Sequence, residues 1–392
     1  MTLPIASDAT LKALGDMAAE AGIRRVHMLA WRDLDDPEAG GSEVHADNVA
    51  TLWAQAGIEV LHRTSYAAGR PPKAVRHGYE VVRKAGRYLV FPRSVAAELA
   101  GRHGRRDGLV EIWNGMPFLS PLWCRGPRSV WLHHVHGPMW GMTLPPSLAR
   151  AGVLLEERIA PKFYRRSPIV TLSESSKAEL VAELGFSADR VAVVPPGIDA
   201  KFSPGGTRSA TPLVVAVGRL VPVKDFPRLV RVMAGVRDRV PGVRLVIVGE
   251  GYERDRIEAE IRAHDLDDVV ELAGRIGDDE LIDLYRSAWT VASVSVREGW
   301  GMTLTEAAAC GTPAVATRIS GHADAAPHGR SSLLADTDDE LRDALVAVLS
   351  DDELRARLQR GALERAAELT WDATAIGTLA SLAGDALRRA RR

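Results

Sequence analysis

The chain has only two cysteines among its 392 residues, Cys124 and Cys310, and they lie far apart in the sequence. This scarcity excludes a disulfide framework and a thiolate metal site. The chain also lacks any apolar run that approaches the roughly 18 residues of a membrane span, and its N-terminus has no apolar segment typical of a signal peptide. We therefore expect a cytoplasmic protein. Any contact with the inner membrane face is expected to be peripheral.

The net charge of −1 conceals an uneven distribution of basic residues. Between residues 71 and 170 there are sixteen Lys and Arg but only six Asp and Glu. The clusters are Arg102, Arg105 and Arg106, and Lys162, Arg165 and Arg166. Such a segment is typical of contact with anionic lipid head groups or an anionic acceptor and, more commonly, of a solvated helix face. Nucleic acid is not an expected partner, because neither aromatic interleaving nor a nucleic-acid motif accompanies the charge.

Strand-like and helix-like segments alternate in both halves of the chain, which predicts two doubly wound parallel sheets. We place the first domain at residues 1–200 and the second at 201–370, because the segment 199–212 is rich in turn-forming residues. Residues 371–392 are the last of three consecutive predicted helices and are candidates to pack back on the first domain. The predicted strands are 26–31, 58–64, 87–91, 109–113, 129–133, 169–172, 213–217, 244–248, 269–273, 291–296 and 314–319.

Glu298 and Glu306, separated by seven residues, lie in the segment with the strongest functional pattern. The apolar run 289–296 predicts a buried parallel strand that ends just before Glu298. Residues 299–301 predict a tight turn, and residues 302–310 predict a helix. Open α/β sheets bind ligands beyond the carboxyl ends of their strands. Two carboxylates in that position can hold two sets of neighbouring hydroxyls, which favours a sugar nucleotide as the ligand.

The same two glutamates also allow structural interpretations. Thr303 and Glu306 have the spacing of a capping box, in which the glutamate only closes the start of a helix. Glu298 is equally compatible with a solvated loop position. Gly299 and Gly301 favour the binding interpretation, because glycines let a ligand approach the backbone closely.

Two further patterns indicate phosphate binding. Gly40 and Gly41 precede a predicted helix, so free backbone N–H groups and the helix dipole can meet an anion there. Arg219 and Lys224 follow the first strand of the second domain, where a guanidinium fork and a mobile ammonium suit a diphosphate. The alternative is that these two cations are surface residues near Asp225.

A cluster of histidines follows a predicted strand of the first domain. His133, His134 and His136 suggest a metal site, but adjacent strand residues point to opposite faces, so the first two cannot readily chelate one ion. We expect one histidine to donate a hydrogen bond to a ligand and another to be structural. Asp33 and Asp35 are better explained as an acidic solvated loop than as metal ligands, so no metal site is predicted.

In combination these motifs resemble those of the retaining GT-B glycosyltransferases of family GT4. The resemblance extends from about Val26 to the C-terminal helices, with further matching stretches at 170–180, 191–199, 245–261 and 271–288. It implies an α/β protein of GT-B fold, with two doubly wound Rossmann-like domains facing across a cleft. It also implies metal-independent, same-face transfer of a sugar from a nucleotide-diphosphate sugar to an acceptor hydroxyl, with no cofactor beyond that donor. The acceptor stays open between a glycan, a lipid-linked alcohol and a small-molecule alcohol.

The resemblance implies a role for each matching residue of the second domain. Glu298 binds the hydroxyls of the donor sugar, and Glu306 binds those of the ribose. Arg219 and Lys224 neutralise the departing diphosphate, which stabilises charge where it develops. The other residues expected at the donor site are Arg275, Gly299, Trp300, Gly301, Met302 and Thr303.

In the first domain the resemblance assigns Gly40 and Gly41 to the same diphosphate. His133 matches the active-site histidine of the family, near the sugar and the acceptor, with His134 as the alternative one residue away. The chain departs from the family in two places. Ser320-Gly321-His322 stands where a glycine pair is common, and the loop before Gly40, near which the family contacts its acceptor, is unusually acidic.

Three other functions fit the sequence less well. An NAD-dependent oxidoreductase would show G-x-G-x-x-G after a strand, but Gly249-Glu250-Gly251 is followed by Arg254 where the third glycine belongs. A nucleotide-sugar epimerase of the same two-domain architecture leaves the pairing of Arg219 with Lys224 unexplained. A non-enzymatic scaffold with a decayed site is disfavoured, because every expected charged position is occupied.

Overall fold

The computed structural model describes residues 4–137 and 139–392 of the protein. Their contacts divide the chain into two compact units. The first unit contains residues 4–197 and Thr370–Arg392, and the second unit contains Ile198–Leu369. Each unit is built around one sheet of mostly parallel strands, so the prediction of an α/β protein with two doubly wound sheets is confirmed.

The sheet of the first unit has eight strands. They are β1 (Arg25–Leu29), β2 (Glu59–Thr64), β3 (Lys73–Arg76), β4 (Tyr79–Arg83), β5 (Gly108–Trp113), β6 (Arg128–Leu132), β7 (Ile169–Thr171) and β8 (Val191–Val193). Their order across the sheet is β3-β4-β2-β1-β5-β6-β7-β8, and β3 pairs antiparallel with β4 while the other pairs are parallel. Every residue of β5 and β6 is buried, as expected for strands covered on both faces.

Helices connect these strands. They are α1 (Asp8–Glu20), α2 (Gly41–Gln55), α3 (Val90–Leu99), α4 (Ser120–Trp123), α5 (Met139–Thr143), α6 (Pro146–Val153), α7 (Ala160–Tyr164) and α8 (Glu174–Leu184). A π-helical segment, Leu154–Ile159, joins α6 to α7, so residues 146–164 form one helical run. A short 3-10 turn, Ala188–Arg190, precedes β8.

The sheet of the second unit has six parallel strands. They are β9 (Leu213–Val217), β10 (Arg244–Val248), β11 (Val270–Gly274), β12 (Thr290–Ser293), β13 (Ala314–Thr317) and β14 (Ser332–Ala335), in the order β11-β10-β9-β12-β13-β14. The helices are α9 (Phe226–Arg237), α10 (Arg254–Ala263), α11 (Asp278–Ser287), α12 (Met302–Ala309), α13 (His322–Ala325), α14 (Asp338–Ser350) and α15 (Asp352–Ala367), with a 3-10 turn at Pro222–Lys224.

Alternate residues of the central strands enter two separate hydrophobic cores. Val214 and Leu245 pack in one core, whereas Val215 and Val246 pack in the other. Successive strand side chains point to opposite faces, so the two cores cover the two faces of the sheet. Burying each such side chain stabilises the fold by about 1.5–3 kcal/mol relative to leaving it exposed. This double anchoring fixes where the strands end and therefore where the loops beyond them begin.

The C-terminal helix α16 (Trp371–Ala390) packs within the first unit. The Trp53 indole N–H donates to the carbonyl of Ala375 at 3.0 Å, and the backbone N–H of Arg128 donates to Asp385 at 3.1 Å. The chain passes so close at Gly197 that a Cβ there would lie 2.2 Å from the backbone nitrogen of Trp371. No helix in the described ranges is long and apolar enough to cross a membrane.

The prediction of a strand at residues 87–91 is wrong. Val90 begins α3, and Pro92 lies in its first turn, where the missing N–H of proline leaves no hydrogen bond unmade. The strand of this region is instead β4, which pairs with β3 through a turn at His77 and Gly78, both with positive φ (49° and 92°). The hairpin was missed because β3 carries charged residues and its side chains are exposed or half-buried.

Candidate functional site

β9 and β12 are neighbours in the sheet of the second unit, although they are not consecutive in the sequence. The strand order reverses between them, and open α/β sheets bind ligands at such a switch point. The segment after β9 carries Arg219 and Lys224, and the segment after β12 carries Glu298. A hydrogen bond of 2.8 Å from the Val296 N–H to the Val223 carbonyl joins the two segments. The predicted residues from two distant parts of the sequence therefore meet here.

Lys224 and Glu298 form an ion pair at this switch point. The ammonium of Lys224 contacts Oε1 of Glu298, and the Ser295 hydroxyl donates to the same oxygen at 2.9 Å. The side chains of the pair are 19% and 20% exposed, so the interpretation of Glu298 as a solvated loop residue is wrong. Burial acts to raise the pKa of Glu298, but the charge of Lys224 and the hydrogen bonds outweigh it and lower this pKa to about 2.

The start of α12 excludes the capping-box interpretation of Glu306. Helix α12 begins at Met302, and its N-cap is Gly301 with a φ of 118°, a conformation that favours glycine. Thr303 is therefore the second residue of the helix and not its cap. Glu306 instead accepts a hydrogen bond of 3.2 Å from the hydroxyl of Tyr285. Sequence reasoning missed Tyr285, because a tyrosine on the preceding helix α11 carries no motif.

Glu306 is held in an environment that favours its protonated form. Burial raises the pKa of Glu306 to about 7, with Asp278 and Asp199 adding to the effect and the Tyr285 hydrogen bond and Lys201 opposing it. Without a ligand the carboxyl group is thus close to half protonated at neutral pH. The pKa values of the two glutamates are thus shifted in opposite directions, since Glu298 has a cationic partner and Glu306 has a phenol.

Replacing Glu306 with glutamine is expected to stabilise the ligand-free second unit at alkaline pH. The folded state holds the Glu306 proton more tightly than the unfolded state, so wild-type stability falls as the pH rises from 4.5 towards about 7. Glutamine has no proton to lose, so the variant gains about 2–3 kcal/mol on the wild type between pH 5 and pH 8. Urea unfolding at both pH values measures this gain, with Glu364→Gln, whose side chain is 67% exposed, as the control. Equal pH dependence of both variants would contradict the assignment.

Close backbone packing explains the glycines near Arg219. A Cβ at Gly249 would lie 1.9 Å from the carbonyl oxygen of Gly218, and a Cβ at Gly251 would lie 2.2 Å from that of Leu220. The Leu220 N–H also donates to the Glu250 carbonyl at 2.9 Å. These glycines therefore support the loop that carries Arg219, which accounts for them without a dinucleotide.

The remaining donor-site predictions have different surroundings. Trp300 is 2% exposed, and the Arg365 guanidinium lies 5.5 Å from its ring centroid, so its side chain belongs to the interior. Gly321 must be glycine, because a Cβ there would lie 2.7 Å from the Trp300 nitrogen and the Glu298 carbonyl. Arg275 is exposed just beyond β11, at the edge of the sheet and two strands away from β9.

In the first unit, Gly40 and Gly41 begin α2 as predicted, but the helix start already carries a carboxylate. The Gly40 N–H donates to Glu43 at 2.8 Å, and Glu43 is 5% exposed. The guanidinium of Arg32 lies 3.4 Å from the other oxygen of Glu43. An anion that binds at this helix start meets Glu43 as well as the free N–H groups.

His133 and His134 differ in their surroundings. His133 is 4% exposed and its ring stands edge-on to that of His45, with 4.9 Å between the ring centroids. Burial lowers the pKa of His133 well below its usual value, and the nearby His45 and His134 add to this effect, so the imidazole is neutral. Its Nε2 makes no hydrogen bond within the described residues. The ring of His134 instead stacks on that of His136 at 4.9 Å.

In the acidic loop after β1, Asp33 is buried and Asp35 is half-buried, so the prediction that these two residues form a solvated loop is wrong. Asp33 is 1% exposed and accepts hydrogen bonds from Arg83 at 2.6 Å and Arg76 at 3.0 Å. Asp35 pairs with the same two arginines. Both arginines come from the β3–β4 hairpin that sequence analysis missed. The carboxylates are neutralised by guanidinium groups in this arrangement.

Two family models match consecutive parts of the chain. Residues 198–365 match the family of glycosyl transferases group 1, and residues 39–202 match glycosyltransferase family 4. The chain is similar to the D-inositol 3-phosphate glycosyltransferase of Pseudarthrobacter chlorophenolicus, with 30% identity over 92% of this chain and 95% of that protein.

Solved structures share the architecture. Sucrose-phosphate synthase from Thermosynechococcus elongatus has a TM-score of 0.75 at 19% identity, over 94% of this chain and 98% of that one. Anabaena HepE in complex with UDP and glucose has a TM-score of 0.68 at 18% identity, over 90% of this chain and 97% of that one. At these identities the similarity concerns the fold alone.

Proposed function

The chain belongs to glycosyltransferase family 4 and is a glycosyltransferase of GT-B fold, and on that premise we propose that it transfers a sugar from a nucleotide-diphosphate sugar to an acceptor hydroxyl. The proposed transfer retains the anomeric configuration and needs no metal. The observation that carries the proposal is the Lys224–Glu298 ion pair at the switch point of the second unit, with Glu306 on the adjoining helix. We assign the donor to the second unit and the acceptor to the first.

In the proposed complex the two residues of the ion pair bind different parts of the donor. Lys224 turns to the diphosphate together with Arg219, and Glu298 accepts hydrogen bonds from hydroxyls of the donor sugar. In the ligand-free protein the pKa of Glu298 is lowered to about 2, so this carboxylate is ionised before the donor binds. Glu306 accepts from the ribose hydroxyls, and the donor must first displace the proton that burial favours there. Cations that are already positioned stabilise the leaving diphosphate as its charge develops.

The proposed reaction takes place on one face of the sugar. The bond from the anomeric carbon to the diphosphate oxygen breaks as the bond from that carbon to the acceptor oxygen forms. The acceptor proton passes to the departing diphosphate, so atoms and charge balance without an external base. In the first unit we assign His133 as the histidine that hydrogen-bonds substrate, because its buried neutral Nε2 is available to accept or donate one bond.

The nucleotide and the acceptor have first candidates. HepE is in complex with UDP, and the name of the D-inositol 3-phosphate glycosyltransferases contains an inositol phosphate. UDP-sugars and inositol phosphate are therefore the first donors and the first acceptor to test. A thermal-shift comparison of UDP, GDP and ADP identifies the nucleotide, because stabilisation follows RT ln(1 + [L]/Kd) and reaches about 2.7 kcal/mol at a hundredfold excess over Kd. Stabilisation by none of the three would contradict the donor assignment.

We also propose that the first unit touches an anionic membrane surface through the helical run 146–164 and the residues that follow it. Large apolar side chains are exposed along this run, namely Leu148, Leu154, Ile159 and Phe163. The cations beside them are Arg150, Arg158, Lys162, Arg165 and Arg166. The carboxylates of the run, Glu156 and Glu157, are buried and half-buried. Exposed apolar side chains with cations close to them in the sequence suit the boundary between head groups and acyl chains.

The double variant Leu154→Glu/Phe163→Glu is expected to reduce flotation with phosphatidylglycerol vesicles at least about tenfold, since it puts charge where apolar area would be buried. The control is Val75→Glu on β3, a residue that is 79% exposed but far from the run in sequence. The proposal would be contradicted if the wild type did not float with the vesicles, or if the wild type and the double variant floated equally. The helical run would then be an ordinary solvated surface.

A further inference from the structure

A fully buried histidine lies behind the carboxylate that we assign to the donor sugar. His322 is 0% exposed and is the first residue of α13. Its Nδ1 lies 3.0 Å from the carbonyl oxygen of Thr317, and its Nε2 lies 3.2 Å from the hydroxyl of Ser293. Thr317 ends β13 and Ser293 ends β12, so the imidazole bridges two neighbouring strand ends.

The partners of the imidazole fix which nitrogen carries its hydrogen. A carbonyl oxygen can only accept, so Nδ1 of His322 must be the donor to Thr317. Burial lowers the pKa of His322, although the charge of Glu298 opposes this, and the ring is therefore neutral. The other nitrogen, Nε2, is then an acceptor, and the Ser293 hydroxyl donates to it.

Two serines lie between the imidazole and the functional carboxylate. Ser295 donates to Oε1 of Glu298 at 2.9 Å, and its hydroxyl lies 3.4 Å from that of Ser293. Each hydroxyl has one hydrogen, which Ser293 donates to His322 and Ser295 donates to Glu298, so the two serine oxygens are in contact but share no hydrogen bond. The backbone of Ser295 is also held, because the Thr317 hydroxyl donates to its carbonyl at 2.8 Å.

The same imidazole abuts the loop between the two glutamates. A Cβ built on Gly301 would lie 3.1 Å from Cδ2 of His322. Gly301 is the N-cap of α12, the helix that carries Glu306. His322 thus supports the start of this helix as well as the serines behind Glu298.

We propose that His322 is a positioning residue for Glu298, which it acts on through Ser293, Thr317 and Ser295. Within the described residues, both donors to Glu298, Lys224 and Ser295, act on Oε1, so Oε2 is the oxygen left to accept a hydroxyl of the donor sugar. A carboxylate held by one oxygen presents the other in a fixed direction, which favours one arrangement of sugar hydroxyls. The inference rests on the proposed role of Glu298.

The test separates binding of the sugar from binding of the nucleotide. His322→Leu keeps the apolar volume and removes both hydrogen bonds, so we expect KM for the sugar nucleotide to rise about tenfold while Kd for the free nucleoside diphosphate changes less than twofold. His322→Gln, which restores a polar side chain, should recover part of the loss. His264→Leu, at the C-cap of α10, is the matched control, because that histidine is partly exposed, with a side-chain exposure of 36%.

Ser293→Ala is a second test that remains if His322→Leu does not fold. It removes the hydrogen bond to Nε2 of His322 and leaves the imidazole ring in place. We expect it to raise KM for the sugar nucleotide about threefold, and its effect should not add to that of Ser295→Ala, since both act on one chain of contacts. Equal losses of sugar-nucleotide and nucleotide binding would show a merely structural role. If Glu298→Gln left transfer unchanged, the proposed function itself would fail. If only the Glu298 variant lost activity, this inference alone would be overturned.

Discussion

Replacing Lys224 with methionine is expected to lower kcat/KM for sugar transfer by roughly 10²–10³-fold, the usual cost of removing one group that stabilises charge in the transition state. Methionine keeps most of the apolar stem and removes the charge that faces Glu298. The substitution also leaves Glu298 without its cationic partner, so the pKa of Glu298 should rise from about 2. Initial rates of nucleoside diphosphate release measure the effect.

Two comparisons show which contact causes the loss. Lys224→Met should weaken binding of both the nucleoside diphosphate and the sugar nucleotide, whereas Glu298→Gln should weaken only the latter. Arg228→Met is the control. It also removes one positive charge, but from an ion pair with the exposed Asp338, so normal rates of transfer are expected. Normal transfer by Lys224→Met would mean that the ion pair is a structural contact of the ligand-free protein.

Replacing Arg83 with leucine is expected to destabilise the first unit by about 3–5 kcal/mol, because breaking a buried ion pair leaves an uncompensated charge. Arg83 and Asp33 are each 1% exposed, and the guanidinium donates twice to one oxygen of Asp33, at 2.6 and 3.1 Å. Arg76 remains beside Asp33 at 3.0 Å but also serves Asp35. Urea unfolding with a probe in the first unit measures the loss.

The same hairpin offers the control. Lys73 and Glu80 form a cross-strand pair at 3.8 Å with 67% and 37% exposure, and Lys73→Leu should change stability by no more than about 1 kcal/mol. Similar losses in both variants would contradict the claim that the loop after β1 depends on buried pairing. The result also bears on the acceptor side, because a neutralised, braced loop differs from the acidic solvated loop that the sequence suggested.

The central strands were predictable because their environment is simple. The predicted bounds of β9 and β10 coincide with the structure, since buried parallel strands are continuous apolar runs. The edge strand β3 has no such pattern, because its charged residues are solvated on one side and paired on the other. Arg83 illustrates the difficulty, since a buried arginine cannot be told from a surface one until Asp33 is placed beside it.

The position of each candidate residue relative to its strand could be predicted, but not the pairing of these residues. Lys224 and Glu298 each lie beyond a strand, yet their contact requires β9 and β12 to be neighbours, which depends on the strand order. The capping-box spacing of Thr303 and Glu306 gave a wrong interpretation. The N-cap of the helix is Gly301, whose positive φ cannot be seen in a spacing rule. His322 stood out only as a departure from a glycine pair, and its hydrogen bonds to two strand ends explain the residue in physical terms.

The central claim is that the Lys224–Glu298 pair belongs to a sugar-nucleotide site that performs transfer. The most direct measurement is nucleoside diphosphate release from UDP-, GDP- and ADP-sugars by the wild type and by Glu298→Gln, with the sugar followed by mass and anomeric configuration. We predict that the wild type releases nucleotide from at least one donor and forms a product of retained configuration. Glu298→Gln should slow this release about a hundredfold while binding the nucleoside diphosphate normally. Equal release by both proteins, or a sugar nucleotide altered without any acceptor, would contradict the account.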